Sequence, residues 1–394
     1  MPEQLSKDLL AWGADHIDPK AIAQAHRTSK MPFVEGHLAL MPDAHFGLGS
    51  TIGSVIPTLG AIMPAAVGVD IGCGMIAVET MLTSADLPDN LDDLLSSIAR
   101  SIPAGVGRGH RQGHKALAGD AWYEANPNTT VSGDEKLGRK TVEQFGSLGS
   151  GNHFVEVCLD LDEVVWIVLH SGSRGVGNML ARRHIDRAKG LMAERLINLE
   201  DKDLAYLVEG ERSFKEYITD LRWAQSYALA NRDSMMDVVL KDLSYFLGRS
   251  GAPLAEKQRI NCHHNYTEQE QHGGRVIWVT RKGAISARVG ELGVVPGSMG
   301  TNTFIVRGLG NPASYNSSAH GAGRAMSRTQ ARKTLSLESF GEAMAGKTWL
   351  ADKDRKLLDE HPDSYKDIQR VMRDQADLVE IVTELTQVLN YKGA

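Results

Sequence analysis

The chain has 394 residues and a mass of 42.9 kDa, which is long enough to bury a large core without disulfides or a structural metal. Hydrophobic residues make up 42% of it and charged residues 23%, which excludes a disordered or collagen-like protein. The net charge of −6 at pH 7 argues against a protein that coats nucleic acid through a general excess of positive charge. The 40 glycines predict many tight turns and close backbone contacts.

The cysteine content indicates a reducing compartment, and the apolar runs indicate a protein without a membrane-spanning segment. Cys73, Cys158 and Cys262 are too few and oddly numbered for a secreted disulfide framework. The first ten residues carry charged side chains without the apolar centre of a signal peptide, and the longest apolar runs, such as 61–69, are too short to cross a bilayer. We therefore expect a cytoplasmic protein without membrane association.

The hydrophobic periodicity predicts a mixed α+β protein in which helices are grouped instead of alternating with strands. Apolar residues at helical spacing predict a helix over 87–102, and a β-rich run predicts a buried strand over 164–169. One long amphipathic helix, or two helices, is expected over 218–247. Strands are predicted over 275–280 and 303–307.

The end of the chain is predicted to form one further helix, over 365–388. Asp363 and Ser364 follow Pro362 and are candidate caps. At helical spacing, one face would carry Ile368, Val371, Met372, Val379, Val382 and Leu385.

Thiol, imidazole and carboxylate groups are concentrated in glycine-rich turns next to predicted strands. Asp70 and Cys73 stand three residues apart in such a turn, which can direct both side chains to one point. Mixed sulfur, nitrogen and oxygen donors suit a first-row transition metal: softness favours Zn or Fe, and Mn is also compatible. A bridging thiolate can serve two ions. The structural alternative is that Cys73 is a small buried residue, as most free cysteines are.

Histidines supply the other candidate donors. His170 follows the strand predicted over 164–169, where ligands often bind, although a hydrogen-bonded core histidine is the alternative. In an extended segment neighbouring side chains point to opposite faces, so only one of His263 and His264 can face a site. For His45 we expect a hydrogen-bonded turn histidine rather than a metal ligand.

Two segments imitate nucleotide-binding loops. Residues 341–348 match the GxxxxGK[ST] phosphate loop letter for letter, but that loop requires a preceding hydrophobic strand, and 334–340 is polar and helix-compatible. Residues 308–313 imitate a dinucleotide fingerprint, but Pro312 and the lack of a second strand with an acidic end argue against it. We expect neither to bind a nucleotide in this way.

A series of ordered motifs resembles the RtcB family of RNA ligases from about residue 30 to the last residues. In chain order they are MPDAHFG (41–47), GVDIGCG (68–74), LGSGNHF (148–154), HSGSRG (170–175), NCHHNY (261–266), PGSMG (296–300), HGAGR (320–324) and KG (392–393). The chain departs from the family pattern at Leu48, where the family often has lysine, and 343–352 does not align. Residues 105–115 form a basic, glycine-rich segment that is a candidate RNA guide or a solvated loop.

The resemblance implies a single RtcB-like catalytic domain over 1–394, with a central β-rich body and helices around a deep metal-lined cleft. It also implies an enzyme that joins RNA 3′-phosphate or 2′,3′-cyclic phosphate ends to 5′-hydroxyl ends, using GTP and two Mn²⁺ ions. Cys73 would be shared by both ions. Asp70 and His153 would complete one ion's ligands, and His170 and His264 those of the other.

The resemblance further assigns His320 as the residue that takes GMP. Expected guanosine nucleotide contacts are Asn152, His153, Phe154, Val155, Glu156, His264, Asn265, Pro296, Gly297, Ser298, Met299, Thr303, His320, Gly321, Ala322, Gly323 and Lys392. Expected phosphate or RNA contacts are Arg174, Arg324 and Arg328. The chemistry of these residue types agrees, because a neutral imidazole is a nucleophile and arginine forks bind phosphate.

The expected partners are GTP and RNA with broken 3′-phosphate and 5′-hydroxyl ends, from tRNA or rRNA, in tRNA splicing or RNA repair. An archease-like activator and a monomeric state are also expected. Two other classes of function remain as alternatives. A metal-dependent phosphatase or cyclic phosphodiesterase would release phosphate without GTP, and a P-loop-like switch or RNA-binding module would depend on Lys347.

Overall fold

The structure is a computed structural model that describes residues 1–110, 114–249 and 254–393, with the backbone alone for 114–117. The strands are β1 (Glu3–Ser6), β2 (Leu9–Ala11), β3 (Leu38–His45), β4 (Ile52–Thr58), β5 (Ala61–Ile62), β6 (Gly74–Thr83), β7 (Phe154–Leu159), β8 (Val164–Ser171), β9 (Leu207–Val208), β10 (Glu256–His263), β11 (Asn265–His272), β12 (Arg275–Lys282), β13 (Ala284–Ser286), β14 (Leu292–Pro296), β15 (Thr303–Gly308), β16 (Ser317–Ala319), β17 (Thr348–Trp349) and β18 (Val379–Lys392). The helices are α1 (Pro19–Ser29), α2 (Pro64–Val67), α3 (Asp92–Ser101), α4 (His114–Ala125), α5 (Thr129–Ser132), α6 (Glu135–Gln144), α7 (Arg174–Glu194), α8 (Arg212–Phe246), α9 (Arg328–Thr334), α10 (Leu337–Ala343), α11 (Asp354–Leu357) and α12 (Ile368–Asp374). This mixture confirms the predicted α+β class.

Two large sheets position the site. One has the order β1-β2-β3-β4-β12-β11, and the other has the order β10-β6-β8-β7-β18-β15-β14, with β17 added beside β18. The end strands of the second sheet, β10 and β14, lie next to each other, so this sheet is nearly closed. Consecutive side chains of a strand point to opposite faces, so β6 places Ile76 and Val78 against α3 and α8 and Met75 and Ala77 inside the sheet. Both faces are therefore buried, which explains the long apolar runs.

Most predicted elements are found, with shifted ends. The strands predicted over 164–169, 275–280 and 303–307 are β8, β12 and β15, and the segment 218–247 lies in one continuous helix, α8. The helix predicted to start at residue 87 starts at Asp92. The reason is local: Pro88 disfavours helical backbone at Leu87, and Asn90 Oδ1 accepts a hydrogen bond (2.7 Å) from the Asp92 backbone N–H.

The prediction of one helix over 365–388 is wrong. Pro362–Ser364 forms a 3₁₀ turn, Asp367 caps the short helix α12, and the remainder is the strand β18. The segment from Val379 to Thr386 is rich in β-branched residues, which favour strands. Its apolar residues also recur at helical spacing, and the pairing of β18 with β7 and β15 decides the outcome.

Neither imitation of a nucleotide-binding loop has the required setting, as predicted. Gly341 lies within the helix α10, where a phosphate loop would need a strand, and Lys347 leads into the two-residue strand β17. Residues 308–313 begin at the last residue of β15 and end within the 3₁₀ turn Pro312–Ser314. Within the described ranges, no helix has the length and apolar character needed to cross a membrane.

A pair of substitutions distinguishes the strand β18 from a helix. Leu385 is 0% exposed inside the nearly closed sheet, whereas Val382 is 42% exposed. Leu385→Ala is expected to lower the free energy of unfolding by about 2–5 kcal/mol because it leaves a cavity. Val382→Ala should lower it by about 1 kcal/mol or less. Urea denaturation of both variants measures the free energy of unfolding. Equal losses in the two variants would indicate that Leu385 and Val382 lie on the same buried face of a helix.

Candidate metal and nucleotide site

The first part of the site is the turn between α2 and β6. Gly68 and Gly72 have φ angles of 96° and 69°, which favour glycine, and they let the chain reverse twice within a few residues. The Cys73 backbone N–H donates to the Asp70 carbonyl (3.2 Å), and the Gly72 N–H donates to the Asn265 carbonyl (2.7 Å). The turn thus directs the Asp70 and Cys73 side chains toward the same point.

Three histidines from separate strand ends meet at the Cys73 sulfur, which is 2% exposed. His153 Nε2 lies 3.3 Å from Cys73 Sγ and 3.1 Å from Asp70 Oδ2. His170 Nε2 lies 3.2 Å from Cys73 Sγ and 2.8 Å from His264 Nε2. The donors form two groups, Asp70–Cys73–His153 and Cys73–His170–His264, and within each group the donor atoms lie within 4.8 Å of one another.

Backbone carbonyls orient two of these imidazoles. His153 Nδ1 lies 2.9 Å from the Leu148 carbonyl, and His170 Nδ1 lies 3.1 Å from the Asn152 carbonyl. A carbonyl can only accept, so each Nδ1 donates, and in the neutral ring the lone pair is then on Nε2, the nitrogen nearest the sulfur. This second set of hydrogen bonds is typical of metal-binding histidines.

Burial sets the protonation of the cluster. It lowers the pKa of His170 and His264 well below the usual value, and neighbouring imidazoles add to the effect. Burial, together with the Asp70 carboxylate, raises the pKa of the Cys73 thiol. A coordinating thiol is deprotonated by its metal. Imidazoles, one thiol and one carboxylate converge here, and this donor set fits a transition-metal ion in each group.

The two histidines of residues 263–264 diverge, as predicted. His264 joins the cluster, whereas His263 Nδ1 lies 2.8 Å from the Gly72 carbonyl. His45 belongs to neither donor group, and its Nδ1 lies 3.0 Å from the Asp43 carbonyl. Burial lowers the pKa of His45 to about 4, so it is neutral at pH 7.

His320 follows β16 and is held by a carboxylate from β3. Its Nδ1 lies 2.6 Å from Asp43 Oδ2, and its backbone N–H donates to the same oxygen (3.2 Å). With Nδ1 donating, Nε2 keeps a lone pair. The His320 ring centroid lies 4.7 Å from that of His264, next to the metal-donor groups. Asp43 was not predicted as the partner of His320, although it is the acidic residue of the MPDAHFG motif.

A cavity of about 540 Å³ lies in front of His320 and the donor cluster. It is lined by most of the predicted nucleotide contacts: Asn152, Phe154, His264, Asn265, Pro296, Gly297, His320, Gly321, Ala322, Gly323 and Lys392. The other predicted contacts are buried and do not line it: His153, Val155, Glu156, Ser298, Met299 and Thr303. Leu48, where the family often has lysine, lies on the cavity wall, and its carbonyl accepts from Lys282 Nζ.

Buried carboxylates hold the cations of the cavity. Lys392 Nζ lies 3.0 Å from Glu360 Oε2 and 5.2 Å from the centre of the Phe154 ring. Arg328 Nη1 donates to Asp359 (2.6 Å) and Glu360 (2.5 Å), and Arg324 Nη1 lies 3.5 Å from Glu360. Neither Asp359 nor Glu360 was predicted from the sequence.

Two further parts of the chain were considered for RNA: Arg174, a predicted contact, and the segment 105–115, a candidate RNA guide or solvated loop. Arg174 does not line the cavity, and its Nε lies 3.4 Å from Ser147 Oγ. Burial opposes ionisation of Asp70, but the hydrogen bond and charge of His153 lower the pKa of Asp70, and the charge of Arg174 adds to that lowering. The basic segment 105–115 is only partly described, because 111–113 and the side chains of 114–117 lie outside the described residues. Within the described part, His110 Nε2 bonds the Gly146 carbonyl (3.0 Å).

Comparisons with known proteins cover most of the chain and agree with one another. A family model described as "tRNA-splicing ligase RtcB" matches residues 24–393. The chain is 47% identical to the RNA-splicing ligase RtcB of Escherichia coli K12, over 96% of this chain and 95% of that protein. It is 29% identical to the tRNA-splicing ligase RtcB of Methanococcus maripaludis, over 91% of this chain and 88% of that protein.

Because both donor groups share Cys73, its removal should affect both. Titration of the wild-type protein with Co²⁺ is expected to give a sulfur-to-metal charge-transfer band in the near ultraviolet. Cys73→Ser should abolish the band and weaken binding of both ions. Cys262→Ser is the matched control, since Cys262 belongs to neither group, and it should keep the band. A band that persists in Cys73→Ser would contradict this assignment.

Glu156 gives a pH-dependent prediction. It is 2% exposed and accepts from Asn390 Nδ2 (2.8 Å), and burial raises its pKa from 4.5 to about 8. The folded protein therefore retains a proton that the unfolded chain releases, so this contribution to stability is complete below pH 4.5 and is lost as the pH rises toward 8. Glu156→Gln keeps the neutral form at every pH.

The thermal midpoint of Glu156→Gln minus that of the wild type should thus increase from pH 5 to pH 8, by the equivalent of a few kcal/mol at most, about 1.4 per pKa unit. Glu143→Gln, at a surface position, is the control and should show no such trend. A constant difference for Glu156→Gln would mean that this carboxyl is already ionised at pH 5.

Proposed function

The chain belongs to the RtcB family, and we propose that it joins RNA 3′-phosphate or 2′,3′-cyclic phosphate ends to 5′-hydroxyl ends, using GTP and Mn²⁺. The curated relatives with this family name are RNA-splicing or tRNA-splicing ligases. The alignment with the Escherichia coli relative covers 96% of this chain and 95% of that protein, so the comparison supports the proposal over this aligned length.

One observation carries the proposal: an imidazole prepared as a nucleophile faces the same cavity as two metal-donor groups. Asp43 fixes the Nδ1 proton of His320, and the free Nε2 is the nucleophile. The carboxylate also stabilises the positive charge that the ring gains when Nε2 forms a bond. The same arrangement of acid and imidazole orients catalytic histidines in other enzymes.

Two Mn²⁺ ions would be held by the Asp70–Cys73–His153 and Cys73–His170–His264 groups. Bound there, they would neutralise the triphosphate and polarise its phosphorus for in-line attack. Gly321 and Gly323 line the cavity beside His320 and leave room for the nucleotide. A Cβ on Gly323 would lie 2.1 Å from the Asp43 carbonyl oxygen, so glycine is required at this position.

The proposed course has four steps. Water opens a cyclic end to a 3′-phosphate. His320 Nε2 bonds the α-phosphorus of GTP, and pyrophosphate leaves. An oxygen of the RNA 3′-phosphate then takes the GMP, and the bond to Nε2 breaks. Finally the 5′-hydroxyl oxygen bonds the RNA 3′-phosphorus, and GMP leaves.

Charged side chains of the cavity would hold the phosphates. Arg324 and Arg328 line it with their guanidinium groups fixed by Asp359 and Glu360, so little side-chain entropy is lost when a phosphate binds. Lys392 lies beside Phe154 on the same wall and would contact the guanosine nucleotide. Arg174 lies outside the cavity lining but close enough to Asp70 for its charge to act there, and we propose that it contacts RNA phosphate near the metal pair.

The physiological substrate would be tRNA or rRNA with broken ends, in tRNA splicing or RNA repair. The relatives' names support RNA splicing. The negative net charge is compatible with this substrate, since recognition would depend on the fixed arginines and bound cations.

The GMP adduct tests the mechanism most directly. Incubation with [α-³²P]GTP and Mn²⁺ is expected to label the wild-type protein through an acid-labile, alkali-stable phosphoramidate. His320→Ala should lose the label completely. Asp43→Asn should label more slowly, by roughly 10²-fold or more, because the Nδ1–H loses its charged acceptor. The measurement is radioactivity retained on the denatured protein.

Lys347→Ala is the control for the phosphate-loop imitation and should label normally. A label that survives in His320→Ala would overturn the assigned nucleophile. Release of phosphate from 2′,3′-cyclic RNA ends without GTP, and without any joined product, would instead indicate a phosphodiesterase.

A further inference from the structure

Arg232, in the middle of α8, is a buried arginine at the back of the metal-donor cluster. It is 0% exposed and forms no ion pair with a carboxylate among the residues that the structure describes. Its Nη1 donates to the Gly72 carbonyl (2.8 Å) and to the Ser171 carbonyl (3.0 Å). Its Nε donates to Asn261 Oδ1 (2.7 Å).

Each of these acceptors is close in sequence to a metal-donor residue. Gly72 precedes Cys73, Ser171 follows His170, and Asn261 lies on β10 three residues before His264. The strands concerned, β10, β6 and β8, are neighbours in the nearly closed sheet. One guanidinium group therefore joins the ends of three adjacent strands at the edge where the donors meet.

The chemistry of the position favours a guanidinium over other side chains. Burying a charge without a carboxylate partner is costly, and an apolar residue of similar size would avoid that cost. A guanidinium has five N–H donors in a fixed plane, so it can reach acceptors on three separate segments at once, whereas the three donors of a lysine ammonium all lie on one atom. The bound carbonyls fix the backbone next to Cys73 and His170, where a small displacement would separate the donor atoms.

We propose that Arg232 is a positioning residue, which fixes the Asp70–Cys73 turn, His170 and His264 relative to one another so that both metal-donor groups are assembled before a metal binds. Arg232 does not touch the donor atoms and acts through the backbone and Asn261. The proposal rests on the metal-dependent function above, and it concerns metal binding, not the joining of RNA ends.

Co²⁺ titration of the metal-free protein tests it, with the number of ions bound, the dissociation constants and the thiolate charge-transfer band as readouts. Arg232→Met keeps the volume but lacks donors, and Arg232→Lys keeps the charge without the planar fork. We expect affinity to fall about 10–100-fold in Arg232→Met, the usual effect of losing an outer-shell partner, and less in Arg232→Lys. Circular dichroism melting fixes a temperature at which each variant is folded.

Arg259→Met is the matched control. Arg259 also lies on this side of the fold, on β10, but it pairs with carboxylates at the surface and should bind Co²⁺ as the wild type does. A folded Arg232→Met with wild-type stoichiometry and affinity would overturn the proposal. Should Arg232→Met not fold, Arg232→Lys decides, and wild-type affinity there would overturn it equally. A wild-type protein that binds no Co²⁺ would instead refute the metal-dependent function.

Discussion

The main geometric constraint on this site is that two groups of metal donors share one sulfur atom, that of Cys73. Cys73 Sγ lies 3.3 Å from His153 Nε2 and 3.2 Å from His170 Nε2, and these side chains come from separate parts of the chain. Such a convergence requires several strand ends to meet at one edge. The order β10-β6-β8-β7 in the nearly closed sheet meets this requirement, since it places the ends that carry His264, Cys73, His170 and His153 side by side.

A second constraint is that several cations around the cavity are held by buried carboxylates or by backbone carbonyls. Asp359 and Glu360 hold Arg324 and Arg328, and Lys282 donates to the Leu48 and Ala65 carbonyls. The net charge of −6 does not reveal this local arrangement of charges. Fixed local charges, rather than the total, decide whether such a cavity can hold polyphosphates.

The sequence was informative where a residue's role depends on its own neighbours. The turn with Asp70 and Cys73 and the opposed directions of His263 and His264 follow from local geometry, and the family motifs identified His153, His170 and His320. The missed residues act through distant partners: Asp43 is 277 residues from His320, and Arg232 is 160 residues from Gly72. Local periodicity carries no information about such pairs. Whether each residue performs its assigned role stays a prediction.

The strand β18, found where a helix was predicted, has a consequence for the site. As the strand β18, the segment pairs with β7 in a register that sets Lys392 opposite Phe154 and Asn390 opposite Glu156. A helix over 365–388 would end before these residues and leave Lys392 without a fixed position. The hydrogen bonds of a central strand instead deliver the ammonium group to the cavity wall beside the Phe154 ring. The sheet that brings the metal donors together therefore also positions the last candidate nucleotide contact, so both parts of the site depend on the same strand pairing.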